Sequence, residues 1–346
     1  MATLYLIEQN SVLRKTSDRL TLCKRPEHAR KSPGVRIEDI LLELPCEDVD
    51  QVMLFGNVQV TTQALHQLLE HGIELAIFTF TGKLLGQLTP PKTKNIHLRI
   101  AQFRKYDDLA FALKLSQTIV KAKINNGLAI VRKHQANHPQ LFTDAELTQL
   151  EGLMQRADKA AALDELRGYE GAATAAYFKL FSRMLNPPWQ FQTRTRRPPK
   201  DPVNAVLSFG YVIVGAQLQS LLDGIGFDPY LGFYHAIEYG RPSLALDLLE
   251  EFRHSLVDRL ALNLFNLNIV SESDFYRPPD GGVYLNTAGK QKFFKHFEQM
   301  VGEFHSAASA ADKPTAFRAL FQKQVQSLAN AVQKDLLYQS FEMKLK

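Results

Sequence analysis

The sequence predicts an α+β fold, in which a small β-rich domain at residues 1–90 is followed by a larger all-α domain at residues 91–346. In the first ninety residues, apolar side chains alternate with polar ones or form short runs between turn residues, which is typical of strands. After Pro90 and Pro91, apolar residues recur every three or four positions, which is typical of amphipathic helices. This change of period places the domain boundary at the two prolines.

The β-rich domain begins with the strand pattern TLYLIEQN and continues with RLTLCK, QVMLFGNVQV, IELAIFTF and KLLGQLTP. One short helix interrupts these strands. The segment TTQALHQLLEHG spaces Leu65, Leu68 and Leu69 helically, begins at a threonine cap and ends at Gly72. The domain is therefore predicted to contain mostly strands and a single helix.

The helical domain contains three long periodic segments, at residues 101–134, 145–185 and 242–266. Between the second and the third lies NPPWQFQTRTRRPPKDP, from Asn186 to Pro202. Its prolines lack the backbone donor that a helix needs, so this segment is either an ordered loop or a flexible connector.

The composition is that of a globular protein. With 346 residues, 45% hydrophobic and 22% charged, the chain can bury a sizeable core and is long enough for two domains. No window approaches eighteen consecutive apolar residues, and the N-terminus lacks the pattern of a signal peptide, so a soluble cytoplasmic protein is expected. The two cysteines, Cys23 and Cys46, form no metal-ligand spacing and are expected to be reduced thiols.

Charge is distributed unevenly along the chain. Residues 1–90 contain nine Lys and Arg and eleven Asp and Glu, whereas residues 91–346 contain 32 and 25. The net charge of the second part is therefore positive, which makes it the expected home of an anionic ligand such as nucleic acid. A modest positive excess is also compatible with plain solubility.

An acid-bearing helix is predicted to begin at Pro242, within the segment GFYHAIEYGRPSLALDLLEEFRH. On a helical wheel its leucines fill a broad apolar arc, and Asp247, Glu250 and His254 fall together within an arc of about 60° beside it. Two ionised acids on one face repel each other unless a cation lies between them, which favours a metal. The alternative is a solvated polar face paired with an arginine.

A second unusual segment is GYEGAATAAYF, from Gly168 to Phe178, where glycines and alanines surround Glu170 inside a helical stretch. Two glycines in a helix cost roughly 1 kcal/mol each relative to alanine, so something must approach this backbone closely. Tight helix–helix packing is the alternative, although it would not explain a carboxylate at the centre.

His235 is a weak signal alone, but together with these acids it becomes a candidate ligand. One imidazole with two or three carboxylates is a mixed nitrogen and oxygen set, which suits Mg²⁺ or Mn²⁺ better than structural zinc. Such a site is suited to phosphodiester chemistry.

Basic residues in the proline-rich loop form a candidate nucleic-acid contact, because guanidinium groups suit phosphate oxygens and a stiff loop loses little entropy on binding. A solvated loop is the alternative. Trp189 and Phe191 beside it could stack on bases, although burial in the core is the better expectation. The candidate DNA-binding residues, with one more just before the acid-bearing helix, are Arg194, Arg196, Arg197, Lys200 and Arg241.

Together these segments resemble a known family. The chain has Glu170 in a small-residue helix, then RTRRPPKDPVNAVLSFGY, then His235 in GFYHAIEYGRPSLALDLLEEFR. In their order and in their sequences, these segments resemble the CRISPR-associated endonuclease/integrase that captures new spacers, the first-numbered Cas protein (Cas-one). The likeness extends over nearly the whole chain, including VMLFGNVQV, ELAIFTFTGKLLGQLTP and KINNGLAIVRKH, and is strongest at residues 168–253.

The resemblance implies a β-rich N-terminal domain, used for dimerisation and partner contacts, followed by a helical catalytic domain that binds metal and DNA. It also implies a homodimer, two of which flank a dimer of a small partner, Cas-two. The family's metal ligands carry over to Glu170, His235 and Glu250, with Asp247 as an additional catalytic acid beside them. Because many relatives have aspartate where this chain has Glu250, the choice between Asp247 and Glu250 as direct ligand stays open. His254 matches no site position of the family.

The reaction implied by the resemblance is strand transfer dependent on Mg²⁺ or Mn²⁺. A 3′-hydroxyl of a captured double-stranded DNA fragment attacks a phosphodiester of the CRISPR array, and water can replace the hydroxyl to cut DNA. No covalent protein–DNA intermediate is expected, although Tyr169, Tyr177 and Tyr234 are nearby hydroxyls. The alternatives are a DNA-binding scaffold without turnover and a structure-selective nuclease acting on branched DNA in repair.

Overall fold

The computed structural model describes residues 3–24, 39–90, 95–302, 304–305 and 315–343. The chain divides into two compact units, Met1–Lys92 and Thr93–Lys346. Pro90 and Pro91, where the apolar period changes, lie next to this division. Each unit has its own secondary structure and is described separately.

The first unit is built from strands and one helix within the described residues. In chain order its elements are β1 (Thr3–Leu6), β2 (Ser11–Thr16), β3 (Arg19–Lys24), β4 (Asp39–Pro45), β5 (Gln51–Phe55), β6 (Val58–Val60), α1 (Thr62–Glu70), β7 (Glu74–Phe78) and β8 (Leu84–Leu88).

These strands form two four-stranded sheets. One has the order β1-β5-β7-β8, with β1, β5 and β7 parallel and β8 antiparallel. The other has the order β4-β3-β2-β6, with β6 parallel to β2. Leucines from both sheets and from α1 share one buried cluster, which includes Leu6, Leu13, Leu54 and Leu68. The alternating pattern of the sequence therefore buries one side chain set of each sheet against the other sheet and the helix.

The structure of the short helix confirms the start and stop signals predicted from its sequence. The Thr61 side chain accepts a hydrogen bond from the backbone N–H of Ala64, which caps the first turn of α1. After the helix, Gly72 takes a positive φ of 73°, a conformation that glycine adopts without strain.

The second unit is largely helical. Its helices are α2 (Ile96–Tyr106), α3 (Leu109–Asn137), α4 (Asp144–Asp158), α5 (Leu163–Arg183), α6 (Pro202–Ile225), α7 (Ser243–Phe252), α8 (Arg259–Asn266), α9 (Thr287–Gly302) and α10 (Phe317–Lys334). A π-helical segment, Arg253–Asp258, joins α7 to α8. The unit also contains two short antiparallel pairs, β9 (Phe275–Tyr276) with β10 (Tyr284–Leu285) and β11 (Phe304–His305) with β12 (Thr315–Ala316).

This architecture confirms the predicted α+β class, a β-rich part followed by a mainly helical one. Cys23 and Cys46 are both buried, and neither takes part in a disulfide among the described residues. The proline-rich segment is a loop that ends where Asp201 caps α6 by accepting a hydrogen bond from the backbone N–H of Asn204. Phe191 is buried, and Trp189 packs edge-on against Phe265, so both aromatic residues contribute to packing.

One helix, α6, is long and apolar enough by length and composition to cross a membrane. Within its most apolar window, 72% of the helix is buried inside the protein. A buried core helix of a soluble protein has these properties, so the helix is weak support for a membrane span.

Candidate active site

The candidate site lies in the second unit, where α3 packs against both α5 and α7. Glu170 comes from α5, whereas Asp247 and Glu250 come from α7. Pro242 is the residue that precedes α7, and the leucines of α7 are buried as the helical wheel predicts. Asp247 and Glu250 are only 1% and 4% exposed, so the interpretation of this face as a solvated polar surface is wrong.

Asp247 holds the loop that carries His235. Its carboxylate accepts backbone N–H groups of Phe233 at 2.7 Å, Tyr234 at 3.1 Å and His235 at 2.9 Å. The same carboxylate lies 2.8 Å from the ring Nδ1 of His235. Because a carboxylate only accepts hydrogen bonds, Nδ1 donates to it, which in the neutral imidazole leaves the lone pair on the other ring nitrogen, Nε2. Asp247 thus fixes both the position and the tautomer of His235.

A glycine makes the close approach of this loop to α7 possible. A Cβ at Gly232 would lie 2.8 Å from the backbone carbon of Ser243 and 2.9 Å from Oδ2 of Asp247. Both distances are shorter than ordinary van der Waals contacts, so any larger residue would push the loop away from α7.

We therefore expect Gly232→Ala to destabilise the protein by about 2 kcal/mol and to impair activity, because the loop and His235 must shift together. Urea unfolding measures the first effect. Gly152→Ala, on α4, is the matched control, since a Cβ there meets no atom within 4 Å and alanine favours the helix. A Gly232→Ala variant as stable as the wild type would show that the loop is not tightly packed.

Lys123, on α3, joins the two glutamates. Its ammonium contacts Oε1 of Glu170 and lies 2.6 Å from Oε2 of Glu250. The Lys123 side chain is 6% exposed, and those of Glu170 and Glu250 are 20% and 4% exposed. Carboxylates from two helices therefore converge on one cation, with Glu170 on the more accessible side.

Further contacts fix each glutamate. Oε1 of Glu170 also accepts a hydrogen bond from the Thr174 hydroxyl at 2.7 Å. Oε1 of Glu250 accepts one from Nε of Arg253 at 3.0 Å and lies 3.7 Å from Nε2 of His235. Oε2 of Glu250 is buried and accepts no hydrogen bond of ordinary geometry, so the Lys123 ammonium is its ion-pair partner.

These charges keep the glutamates ionised. Burial opposes the ionisation of Glu250, but Arg253, Lys123 and His235 hold its pKa well below the usual range. Burial likewise opposes that of Glu170, whose pKa is lowered by the charge of Lys123. The pKa of Lys123 is raised, because Glu250 and Glu170 outweigh the effect of its burial. At neutral pH the site therefore contains carboxylates with buried cations against them.

Glu251, the third acid of α7, has a packing role. It is fully buried and accepts hydrogen bonds from the backbone N–H of Phe341 at 2.6 Å and from Gln324 at 2.8 Å, and the Tyr338 hydroxyl also bonds to it. Burial raises its pKa to about 7. Glu251 thus fastens the C-terminal residues to α7 on the side away from Glu250.

His254 does not join the site, although the helical wheel places it near Asp247 and Glu250. Its Nδ1 lies 2.6 Å from Asp258, which also accepts a hydrogen bond from Tyr211. The reason is the π-helical segment that begins at Arg253, because a wider turn rotates each residue by less than the 100° of an α-helix. The wheel is therefore wrong for His254, whereas the later apolar positions Leu256, Val257 and Leu260 are buried as it predicts.

The nearby tyrosines all have raised pKa values. Burial raises the pKa of Tyr177 well above its usual value, and burial together with the charges of Glu170 and Glu250 raises the pKa of Tyr234. The pKa of Tyr169 is also raised, because its hydroxyl donates to Glu165. The absence of a covalent intermediate stays a prediction.

The small residues around Glu170 lie on an open surface of α5. Gly168, Gly171, Ala172 and Ala175 are exposed, and a Cβ at either glycine would meet nothing within 4 Å. No helix of the described chain packs closely at these two positions, so the alternative of tight helix–helix packing is wrong for them. The backbone beside Glu170 is instead accessible from outside.

The five basic candidates differ in their surroundings. Arg194 points inward: its guanidinium bonds to Asn204 and Ser208 and lies 5.3 Å from the ring centre of Tyr211. Arg241 is paired with Glu238 at 2.7 Å. The remaining three candidates, which are exposed, are Arg196, Arg197 and Lys200. Lys200 also donates a hydrogen bond to the Gly281 carbonyl at 3.2 Å.

Lys123 and Arg253 are the residues that sequence reasoning missed. Both were visible as basic residues beside the recognised segments, one in KAKINNGLAIV and the other directly after Glu250 in LLEEFR. The available signal was a lysine at a position of α3 whose neighbours along the helix are buried, since an unpaired lysine is rarely buried.

The donor set fits a divalent cation of the Mg²⁺ or Mn²⁺ class. Across the part of the chain that the structure describes, no three His, Cys, Asp or Glu side chains are grouped to hold a metal ion as they stand. Glu170 and Glu250 nevertheless already share one cation, and Nε2 of His235 lies 3.7 Å from Oε1 of Glu250. Hard oxygen donors with one imidazole suit these metals. Asp247 is saturated by its own hydrogen bonds.

The chain is similar to known CRISPR-associated proteins. The model of the family described as CRISPR associated protein Cas1 matches residues 4–299. The protein named CRISPR-associated endonuclease Cas1 3, from Thermus thermophilus, is 33% identical over 303 residues, which cover 88% of this chain and 86% of that protein. These findings define a CRISPR-associated nuclease. The chain belongs to the Cas1 family.

Solved structures show the same fold. A Cas1 protein from Thermotoga maritima superposes with a TM-score of 0.79 and 26% identity, covering 99% of this chain and 100% of that chain. A chain of a Cas6-RT-Cas1–Cas2 complex superposes with a TM-score of 0.81 and 27% identity. The match covers all of this chain and 36% of that longer one.

Proposed function

We propose that this protein is a metal-dependent DNA endonuclease and integrase that inserts captured DNA fragments as new spacers into a CRISPR array. The observation that carries the proposal is the convergence of Glu170 and Glu250 on one buried cation, with Nε2 of His235 beside them. The family membership supports the same reaction. The protein would act in the cytoplasm, where the array DNA is found.

In this proposal Glu170, His235 and Glu250 hold the metal, and Asp247 is a positioning residue. The four hydrogen-bond contacts of Asp247 leave it no free lone pair directed at the site, whereas Glu250 meets only cations and His235 there. When bound, Mg²⁺ or Mn²⁺ would polarise the scissile phosphate and stabilise the attacking or leaving oxygen. In this proposal the attacking group is a 3′-hydroxyl of DNA or water, and no tyrosine forms a covalent intermediate.

The surface around Glu170 would admit the DNA. The small exposed residues of α5 leave room for a phosphodiester backbone beside the accessible glutamate. The positive excess of residues 91–346 provides the electrostatic attraction. We assign direct phosphate contacts to Arg196, Arg197 and Lys200, and we assign Arg194 the task of holding their loop.

The proposed partners are double-stranded DNA, a second copy of this chain and the small Cas2 protein. The support for Cas2 is the structural likeness to a Cas6-RT-Cas1–Cas2 complex. We assign the dimer and partner contacts to the β-rich unit and the chemistry to the helical unit.

A joining assay tests the function. A labelled short duplex with free 3′-hydroxyls is incubated with a supercoiled array plasmid and Cas2, with Mn²⁺ or with EDTA. We expect joined product only with metal and only with 3′-hydroxyl ends. Binding without turnover would favour the idle scaffold, and cutting of branched DNA without joining would favour a repair nuclease.

Neutralising the loop should weaken DNA binding uniformly. For Arg196→Gln with Arg197→Gln we expect the slope of log K against log salt to fall in magnitude by about two units, roughly one per lost phosphate contact. Fluorescence anisotropy at several salt concentrations measures it. Lys133→Gln, an exposed residue of α3, is the control and should leave the slope unchanged. An unchanged slope in the double variant would remove the loop from the DNA path.

A further inference from the structure

The ammonium of Lys123 is the cation on which both glutamates of the site converge. It contacts one oxygen of Glu170 and lies 2.6 Å from one oxygen of Glu250, and its side chain is only 6% exposed. A buried lysine is costly unless it is paired, and here it is paired twice, by residues from two other helices. The two ion pairs therefore hold the Lys123 head group in this position.

We propose that Lys123 is an internal competitor for the metal and sets the metal affinity of the site. This inference rests on the proposed function. The oxygens that Lys123 contacts belong to the two carboxylates assigned as ligands, so its ammonium occupies one oxygen of each and repels a divalent cation that binds the same carboxylates. The Lys123 head group therefore opposes metal binding for as long as it stays in this position.

The surroundings give the displaced ammonium a place to go. A cavity of about 10 Å³ adjoins Lys123 and is lined also by Thr174, Tyr177 and His254. This is about the volume that one water molecule needs, and an ammonium group is of similar size. A rotation of the lysine side chain can thus vacate the carboxylates while α3 and α5 stay in place.

Arg253 is distinguished from Lys123 by the oxygen that it contacts. Arg253 donates to Oε1 of Glu250, whereas Lys123 lies against Oε2 and against Glu170. Arg253 is further held over the ring of Tyr211 at 4.6 Å. Removing Lys123 therefore leaves Glu250 with Arg253 as its one cation, and it lowers stability because Oε2 of Glu250 and Oε1 of Glu170 lose their buried partner.

The consequence is that the site binds the metal only weakly on its own. While the ammonium lies between the carboxylates, it neutralises their repulsion and keeps them in place. Strong binding of the metal then requires additional negative charge near the site, such as the phosphates of bound DNA. A site of this kind would be filled mainly when the DNA substrate is present, which limits unwanted cutting.

The test is a Mn²⁺ titration of the full chain without DNA, followed by the electron paramagnetic resonance signal of free Mn²⁺. Lys123→Met removes the charge and keeps a side chain of similar length, and we expect it to tighten Mn²⁺ binding at least tenfold. Lys123→Arg retains the charge and should keep the weak binding of the wild type. Lys121→Met is the matched control, because Lys121 lies on the same helix, is 41% exposed and pairs with Asp158.

Unchanged or weaker Mn²⁺ binding in Lys123→Met would overturn the inference. If that variant is unstable, Lys123→Gln is used, and the rise in melting temperature on adding Mn²⁺ should exceed that of the wild type. An equal rise would also overturn the inference. Failure of the proposed function would give a different result. If Glu170→Ala does not abolish the Mn²⁺ binding seen in the wild type, the proposed metal site itself is wrong.

Discussion

Replacing Glu250 by alanine is expected to abolish DNA joining, with a loss of at least about 1,000-fold, because it removes the most buried proposed ligand. Glu170→Ala and His235→Ala are expected to have effects of the same order. The initial rate of joined product, with Mn²⁺ saturating for the wild type, measures the loss. Circular dichroism should show the secondary structure of the wild type for each variant.

Glu165→Ala is the matched control for this series. Glu165 is an exposed acid of the same helix as Glu170, and its carboxylate contacts Tyr169 and a backbone N–H at the helix start. We expect joining within about twofold of the wild type, since a surface contact of this kind contributes little. Wild-type joining in any one of the three site variants would remove that residue from the proposed ligand set.

Asp247→Ala is expected to act differently, by lowering both stability and activity. It leaves three backbone N–H groups and the Nδ1 of His235 without their acceptor, which should cost about 3 kcal/mol of unfolding free energy. Joining should fall by about 100-fold or more, because the His235 loop is no longer fixed. Urea unfolding and the joining rate measure the two effects.

The comparison between Asp247→Ala and Glu250→Ala separates positioning from ligation. We expect the Glu250 variant to lose metal binding, and the Asp247 variant to lose stability while retaining part of its Mn²⁺ affinity. Complete loss of Mn²⁺ binding with unchanged stability in Asp247→Ala would contradict this division, because it would make Asp247 a direct ligand.

The sequence predicts the fold well where the apolar period is long. The strands before Pro90 and the helices after it, the cap at Thr61 and the apolar arc of α7 are all present in the structure. These features depend on local patterns that each segment carries within itself. The helical wheel is wrong only at His254, where the π-helical segment changes the rotation per residue.

The sequence identifies four candidate site residues but not the contacts that each of them makes. Glu170, His235, Asp247 and Glu250 are all recognisable in the sequence, whereas the binding of Asp247 to three successive N–H groups depends on how the loop folds back on α7. The pairing of Lys123 with both glutamates joins residues far apart in the chain. No periodicity within one helix can reveal such contacts.

The small residues around Glu170 illustrate the same limit. In the sequence they are compatible both with close helix packing and with an open surface, since both require little side-chain bulk. The structure decides between these, because α5 turns Gly168 and Gly171 outward. Which face of a helix is covered depends on its neighbours in the fold.

The central claim is that Glu170, His235 and Glu250 bind one divalent ion. Anomalous diffraction from Mn²⁺-soaked crystals of the protein bound to DNA tests it most directly, because the phosphates of bound DNA add to the attraction for the metal. We predict one Mn²⁺ peak within about 2.0–2.3 Å of an oxygen of each glutamate and of Nε2 of His235, with Asp247 still bound to Nδ1. A peak bound directly by Asp247, or an absence of Mn²⁺ at these side chains in fully soaked crystals, would contradict the account.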